Sequence, residues 1–289
     1  MTRPVDPIER AHLRDREGFT PPIHRFAPAP QLTDRVRRYW LPVWSLPEGR
    51  VSVQRVLQYP VCLVVVADDY ARLVGPTTGL STRELRGSGW AVGAMLQPAA
   101  GLLLSGRPVS ELTDSHIDLP TVPGLAGGAL AAGIEAVMRP DPGAPAALQR
   151  AVDLLEAALA TLPPADEEGL LVNAVVEYAE GDSGVHRVGQ IVEKFSITER
   201  TLQRLCARRI GLSPKWLIQR RRLHEAAERL IPGPGVTQVA RGTAPDLARV
   251  AADLGYADQA HFTRDFRTVT GLTPGGFARE PRDAGEAPS

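Results

Sequence analysis

The chain has 289 residues, enough for two domains of ordinary size, and its 33 basic and 33 acidic residues cancel, so total charge points to neither a polyanion nor a basic surface as partner. Its two cysteines, Cys62 and Cys206, supply neither a disulfide framework nor a C-x-x-C pair for zinc or redox chemistry, which fits a reducing compartment. The charged start "MTRPVDPIERAHLRDREGF" lacks an apolar leader and no run approaches the roughly eighteen apolar residues of a membrane span, so a non-exported, cytoplasmic protein without a membrane partner is expected, its first twenty or so residues loose.

From about Asp34 to about Pro120 the pattern is short apolar runs rich in β-branched residues, "RVSVQRVLQ", "VCLVVVA", "ARLVG", "STREL" and "WAVGAML", broken by Gly, Pro and Asp. Such lengths and breakers predict strands of a sheet or small barrel. Between Pro120 and Pro145 the Gly, Ala and Pro content reads as a flexible boundary. Beyond it the grain is helical. "AALQRAVDLLEAALATL" places Leu148, Val152, Leu155 and Leu159 at three-to-four-residue steps, "PPADEEG" stops that helix, and "LLVNAVVEYAEG" starts another. The stripe either pairs two copies of the chain or packs within one. The resulting division is a β-rich domain at 1–140, a helical linker at 141–165 and an all-helical domain at 166–282. Residues 185–280 hold 16 Lys and Arg against 9 Asp and Glu, a local basic excess that suits either a solvated face or nucleic acid.

Within that region "RRIGLSPKW" and "TVTGLTPGG" carry the same punctuation. Gly is the residue that takes a left-handed helix C-terminus, and Ser or Thr before Pro is an N-cap with a preset first turn, so Gly-Leu-[Ser/Thr]-Pro ends one helix and begins the next. Aligning backwards, "TLQRLCARRIGLSP" and "HFTRDFRTVTGLTP" match at an offset of 60, and the preceding "QIVEKFSI" and "RVAADLGY" match at 59. Each unit is therefore a short helix, a turn and a longer helix, with one extra residue in the second turn. This is the sequence form of a helix-turn-helix, in which Val192 and Ala251 allow close approach. In the second helices Leu202, Leu205, Cys206 and Ile210, then Phe262, Phe266 and Val269, fall on one side. Arg200, Gln203, Arg204 and Arg208, then Gln259, His261, Arg264 and Arg267, fall on the other. Arg and Gln are the side chains that read guanine and adenine edges bidentately in a major groove wide enough for a helix. The connector "SPKWLIQRRRLHEAAERLI" is expected to bury Trp216, Leu217, Leu223 and Leu230 and to fix the separation of the two units.

These residues resemble the AraC/XylS transcriptional regulators. The match is specific at "DLARVAADLGYADQAHFTRDFRTVTGLTPGGFARE" and looser at "VGQIVEKFSITERTLQRLCARRIGLSPKWLIQRRRLHEAAERL", together covering about 166–280. The resemblance implies a two-domain α+β protein, a β-rich, cupin-like sensor domain followed by an all-α domain with two helix-turn-helix units. It implies base-reading roles for Arg200, Gln203 and Arg204 in the first unit and Gln259, Ala260, His261 and Arg264 in the second. Arg264 is equally a phosphate contact or a helix-stabilising residue, since Arg204 holds the matching position. Two features depart from the family. Ser196 stands where Gly is usual in the first turn, and "PGPGVTQVARGTAP", with the extension 232–245 and Arg241, lengthens the link into the second unit. "RYWLPVW" and "GRPVSELTD" are similar to sensor portions of such regulators, and Trp40, Trp44, Tyr59 and Trp90 are candidates to line a pocket there, although such aromatics also serve as plain core. The implied partners are double-stranded DNA, a small-molecule effector, RNA polymerase and a second copy of the chain through 146–162; no cofactor is implied.

A cupin-type metalloenzyme and a protein-binding adaptor are the alternatives. A mononuclear metal site needs clustered histidines with a carboxylate, whereas His12, His24, His116, His186, His224 and His261 are scattered. G-x-S-x-G, P-loop and G-x-G-x-x-G motifs are absent, and the acidic group Glu111, Asp114 and Asp118 reads as a capped turn, so no catalytic or metal-binding residue is assigned.

Overall fold

The computed structural model describes residues 12–13, 19–230 and 246–279; the extension 232–245 and most of the start expected to be loose lie outside them. Nine strands are described: β1 (His12–Leu13), β2 (Ile23–Phe26), β3 (Val36–Ser45), β4 (Val51–Val56), β5 (Leu63–Ala67), β6 (Ala71–Val74), β7 (Ser81–Arg86), β8 (Ser88–Leu96) and β9 (His116–Asp118). They form a three-stranded sheet, β1-β4-β7, and a six-stranded sheet, β2-β3-β8-β5-β6-β9, with antiparallel pairings throughout. The two sheets face each other across a lumen, which is the barrel the strand pattern predicts.

Period-two alternation sorts the side chains of the larger sheet. β5 is buried along its whole length because both of its faces are covered: Val64 and Val66 join one core, while Leu63, Val65 and Ala67 join another. On β8 the first set is Trp90, Val92, Ala94 and Leu96, and the second includes Ala91 and Met95. The outer face is covered by α2 (Gly127–Met138) and α3 (Pro145–Leu159), behind a short α1 (Ala100–Ser105).

This corrects one expectation and bears on a second that the sequence leaves open. The 120–145 segment is not a flexible boundary: "GGALAAGIEAVM" is helical, and Leu130, Ile134 and Met138 recur every four residues as its buried stripe. A Cβ at Gly133 would meet Leu154 of α3 only at ordinary contact distance, whereas one at Gly127 would clash with the Leu119 carbonyl, so the start of α2 is where a glycine is required. The stripe Leu148, Val152, Leu155 and Leu159 is buried in the same core as β5 and β8, which is the second of its two readings, packing within one chain.

The helical half runs through α4 (Glu167–Gly181), α5 (Val188–Lys194), α6 (Glu199–Arg209), α7 (Pro214–Leu230), α8 (Leu247–Asp253), α9 (Gln259–Thr270) and α10 (Pro274–Arg279). One core joins α4 and α7 to the first unit, through Val172, Val176, Ile191, Leu202, Leu205 and Leu217. A second core joins the other end of α7 to the second unit, through Leu223, Ala227, Leu230, Ala251, Phe262 and Phe266. The connector expectation holds for Leu217, Leu223 and Leu230; Trp216 is only half-buried, with the Arg220 guanidinium 4.3 Å above its ring.

Three consecutive arginines on α7 hold three different parts of the molecule. Arg220 donates to the carbonyls of Thr77, Thr78 and Gly79 in the barrel. Arg221 donates to Val185 O at the approach to the first unit and pairs with Glu225. Arg222 donates to His186 O and lies over the ring of Tyr256 in the second unit.

Candidate nucleic-acid interface and effector cavity

The two helix-turn-helix units repeat one another's turn hydrogen bonds. Phe195 N donates to Ile191 O and Leu254 N to Val250 O; Ile197 N donates to Val192 O and Tyr256 N to Ala251 O. Each turn passes through a left-handed residue, Gly255 at φ +73° in the second unit and Ser196 at φ +51° in the first. The turn thus keeps its shape although Ser replaces the usual Gly, at a cost of about 1–2 kcal/mol for a side chain in that region. The extra residue of the second turn is Ala257, and beyond it the two units are in step again.

The second helices are capped alike. Thr198 Oγ1 accepts from Thr201 N at 3.1 Å, and Asp258 Oδ1 accepts from His261 N at 2.7 Å. At the other end Gly211 and Gly271 adopt φ +78° and +76°, and Ser213 and Thr273 then cap α7 and α10 by accepting from Trp216 N and Gly276 N. The repeated punctuation is therefore realised in both copies.

On α6 the buried side is Leu202, Leu205, Cys206 and Arg209; on α9 it is Phe262, Phe266 and Thr270. The candidates Arg200, Gln203, Arg204, Arg208, Gln259, Ala260, His261, Arg264 and Arg267 are all exposed. Their local partners differ. His261 stands edge-on to Tyr256 with ring centroids 5.2 Å apart, and Gln203 donates to Glu199. In the first unit one carboxylate, Glu168 at the start of α4, accepts from Arg204 at 3.4 Å, Arg208 at 2.8 Å and Arg209 at 3.1 Å. Arg209 is buried and also donates to Asp166 at 2.6 Å, and that bond holds the Asp166 carboxyl below its ordinary range. Asp166 in turn caps α4 by accepting from Gly169 N. In the sequence "PPADEEG" reads as the stop of the preceding helix, whereas Asp166 caps α4 and Glu167 opens it, and nothing in the segment marks it as the anchor of α6.

In the sheet domain the lumen has a volume of about 470 Å³. Trp40, Trp44 and Tyr59 line it. Trp90 does not, because it sits one residue out of phase on β8 and packs on the helical layer instead. Register explains how two indoles fit inside. Trp40 is paired with Gly93 and Trp44 with Gly89, and a Cβ at either glycine would come within 2.4 Å of the facing ring. The four-residue spacing of Trp40 and Trp44 is thus matched by Gly89 and Gly93 on the neighbouring strand, a signal present in "RYWLPVW" and "SGWAVGA". Gln54, Gln58, Tyr70 and His116 add polar groups to largely apolar walls, and Arg72 and Arg83, which also line the lumen, hold their guanidiniums 4.9 and 4.8 Å from the Tyr70 ring.

Asp114, from the acidic group, accepts from Thr78 N and Oγ1 and so fixes the β6–β7 loop. Among the described residues no three His, Cys, Asp or Glu side chains gather as metal ligands. Burial pushes both thiols up to about 12, which keeps Cys62 and Cys206 protonated and unreactive at neutral pH. No described helix is long and apolar enough to cross a membrane.

Residues 191–280 match a family described as a helix-turn-helix domain, and residues 24–118 match a domain of unknown function. No curated protein matches the chain. Among solved structures it is similar to unsaturated fatty acid bound wild-type ToxT from Vibrio cholerae strain SCE256, at 9% identity over 96% of this chain and 98% of that one, TM-score 0.37. It is also similar to a 1.65 Å structure of ToxT from Vibrio cholerae, at 9% identity over 91% and 99%, TM-score 0.36.

Proposed function

We propose, from the premise that residues 191–280 are an AraC-type helix-turn-helix domain carried behind a β-rich domain, that this DNA-binding transcription regulator reads two adjacent major-groove segments under control of a small molecule in the barrel lumen. The observation that carries the reading is the pair of helices α6 and α9, N-capped in the same way and each presenting its polar side chains outward. Arg200, Gln203, Arg204, Gln259, Ala260, His261 and Arg264 face base edges in this reading, and Arg208 and Arg267 reach phosphates, which position the protein without reading sequence. Successive major-groove faces lie about 34 Å apart on one side of the duplex. The protein acts in the cytoplasm, and no catalytic residue is assigned.

The effector reading is supported by the lumen's size and walls. A packed interior leaves few voids larger than a water molecule, whereas about 470 Å³ falls in the range of roughly 300–1,000 Å³ typical of ligand sites. Aromatic and aliphatic walls interrupted by Gln54, Gln58, His116, Arg72 and Arg83 favour a largely apolar molecule carrying a hydrogen-bonding or anionic group.

Binding to operator and random DNA tests the face assignment. Arg204→Ala and Gln259→Ala are each expected to lose discrimination at one base step by about 1–3 kcal/mol. If both variants keep the wild-type ratio of operator to random affinity, α6 and α9 do not read bases through these residues.

A further inference from the structure

The lumen and the second helix-turn-helix unit share one short segment of chain, residues 57–59. Leu57 is fully buried, not in the barrel but in the core of the second unit, with Phe262 and Phe266. Its carbonyl lies 2.7 Å from His224 Nε2 on α7, and since a carbonyl only accepts, His224 carries a proton on that nitrogen. Gln58 and Tyr59 line the lumen. Tyr59 also meets the His224 ring, with centroids 4.8 Å apart, and Gln58 accepts from Thr77 Oγ1 at 3.0 Å. Thr77 opens the loop whose three carbonyls hold Arg220, one helical turn from His224 on the same face of α7. Arg220 and His224 are both buried in this contact. Two adjacent loops of the barrel therefore grip α7, and both have a side chain or a partner in the lumen wall.

We propose that residues 57–59 are the transmitter between the lumen and the second unit: a molecule filling the lumen packs against Gln58 and Tyr59 and holds them on His224, so that occupancy and the docking of the second unit's core favour one another. This rests on the reading of the lumen as the effector site. The requirement for such coupling is a ligand that contacts the two arrangements differently, and Tyr59 meets it by contacting the lumen and α7 at once. The coupling is reciprocal, so undocking α7 weakens the lumen's hold on its occupant by the same factor that occupancy strengthens docking. Among the described residues, the hydrogen bond that ties the first unit to the sheet domain, from Thr113 Oγ1 to Gly211 O, lies outside the lumen.

Amide hydrogen exchange on the full chain tests this, with 8-anilinonaphthalene-1-sulfonate as the probe occupant and residues 188–209 as internal reference. Tyr59→Leu is expected to speed exchange over 247–270 about tenfold relative to the reference, and saturating probe to slow it about fivefold in the wild type but not in the variant. Unchanged exchange over 247–270 in Tyr59→Leu, or in the wild type with bound probe, overturns the proposal. If Tyr59→Leu also loses protection across β5 and β8, the barrel itself has opened, and Arg220→Ala decides instead. Its side chain lies outside the lumen, so faster exchange over 247–270 together with weaker probe binding supports the transmitter, and wild-type behaviour in both overturns it. Absence of energy transfer from Trp40 and Trp44 to the probe would instead count against the lumen as an effector site, while the exchange of Tyr59→Leu without probe still decides whether 57–59 holds the second unit.

Discussion

The two helix-turn-helix units share their backbone hydrogen bonds and caps, yet they are attached to the rest of the molecule in different ways. Beyond the apolar core it shares with α4 and α7, the first is fastened by charge and backbone: Glu168 collects three arginines, and Gly211 lies against the barrel domain, its carbonyl accepting from Thr113 Oγ1 at 2.8 Å. The second is fastened by apolar burial, with Leu57 and Leu80 of the barrel packed into or against its aromatic core. Its own terminal glycine, Gly271, has open space around it. Internal repetition therefore preserves what a unit needs to fold, while the attachments are free to diverge.

The sharpest way to break the symmetry is the glycine pair. Gly211→Ala meets two penalties, about 1–2 kcal/mol for a left-handed alanine and a further 1–3 kcal/mol or so for forcing a Cβ to within 2.8 Å of Val109 O, whereas Gly271→Ala meets only the first. Denaturant unfolding of the two variants is expected to show the larger loss for Gly211→Ala; equal losses would mean that the first unit does not lean on the barrel. A smaller effect is expected from Glu168→Ala, which leaves the buried Arg209 with Asp166 alone and costs about 1–3 kcal/mol. Hydrogen exchange should place that loss in α4 and α6 and leave α9 at its wild-type rate. Smallest, and opposite in sign, is Ser196→Gly, which relieves a left-handed side chain and is expected to stabilise by about 1 kcal/mol, read as a rise in the unfolding midpoint. A fall in that midpoint would show that the serine is adapted to its turn.

Much of this was legible in the residues. The 59 and 60 offsets located the longer second turn, and Gly-Leu-[Ser/Thr]-Pro located both left-handed glycines and the caps behind them, because these are local requirements written within a few residues. The five apolar runs between Val51 and Leu96 became strands for the same reason. What was not legible depends on which residues meet across the fold. "GGALAAGIEAVM" reads as flexible until α3 is beside it, Trp90 belongs with Trp40 and Trp44 until strand parity separates them, and a stripe such as Leu148, Val152, Leu155 and Leu159 does not say which chain covers it. Glu168 and His224 gave no sign of their partners, which lie at Arg204, Arg208 and Arg209 and at Leu57.

The arginines at 220, 221 and 222 are committed to backbone carbonyls, Arg220 and Arg221 from buried positions, with burial pushing Arg220 down to about 10. Their consequence is for modularity. A chimaera that grafts a different sensor onto this reader has to offer Arg220 the same three converging carbonyls, or leave a desolvated guanidinium facing apolar surface. Exchange of front halves is open only to barrels whose β6–β7 loop already has that shape, which makes a loop outside both the lumen and the reading helices a determinant of which combinations fold.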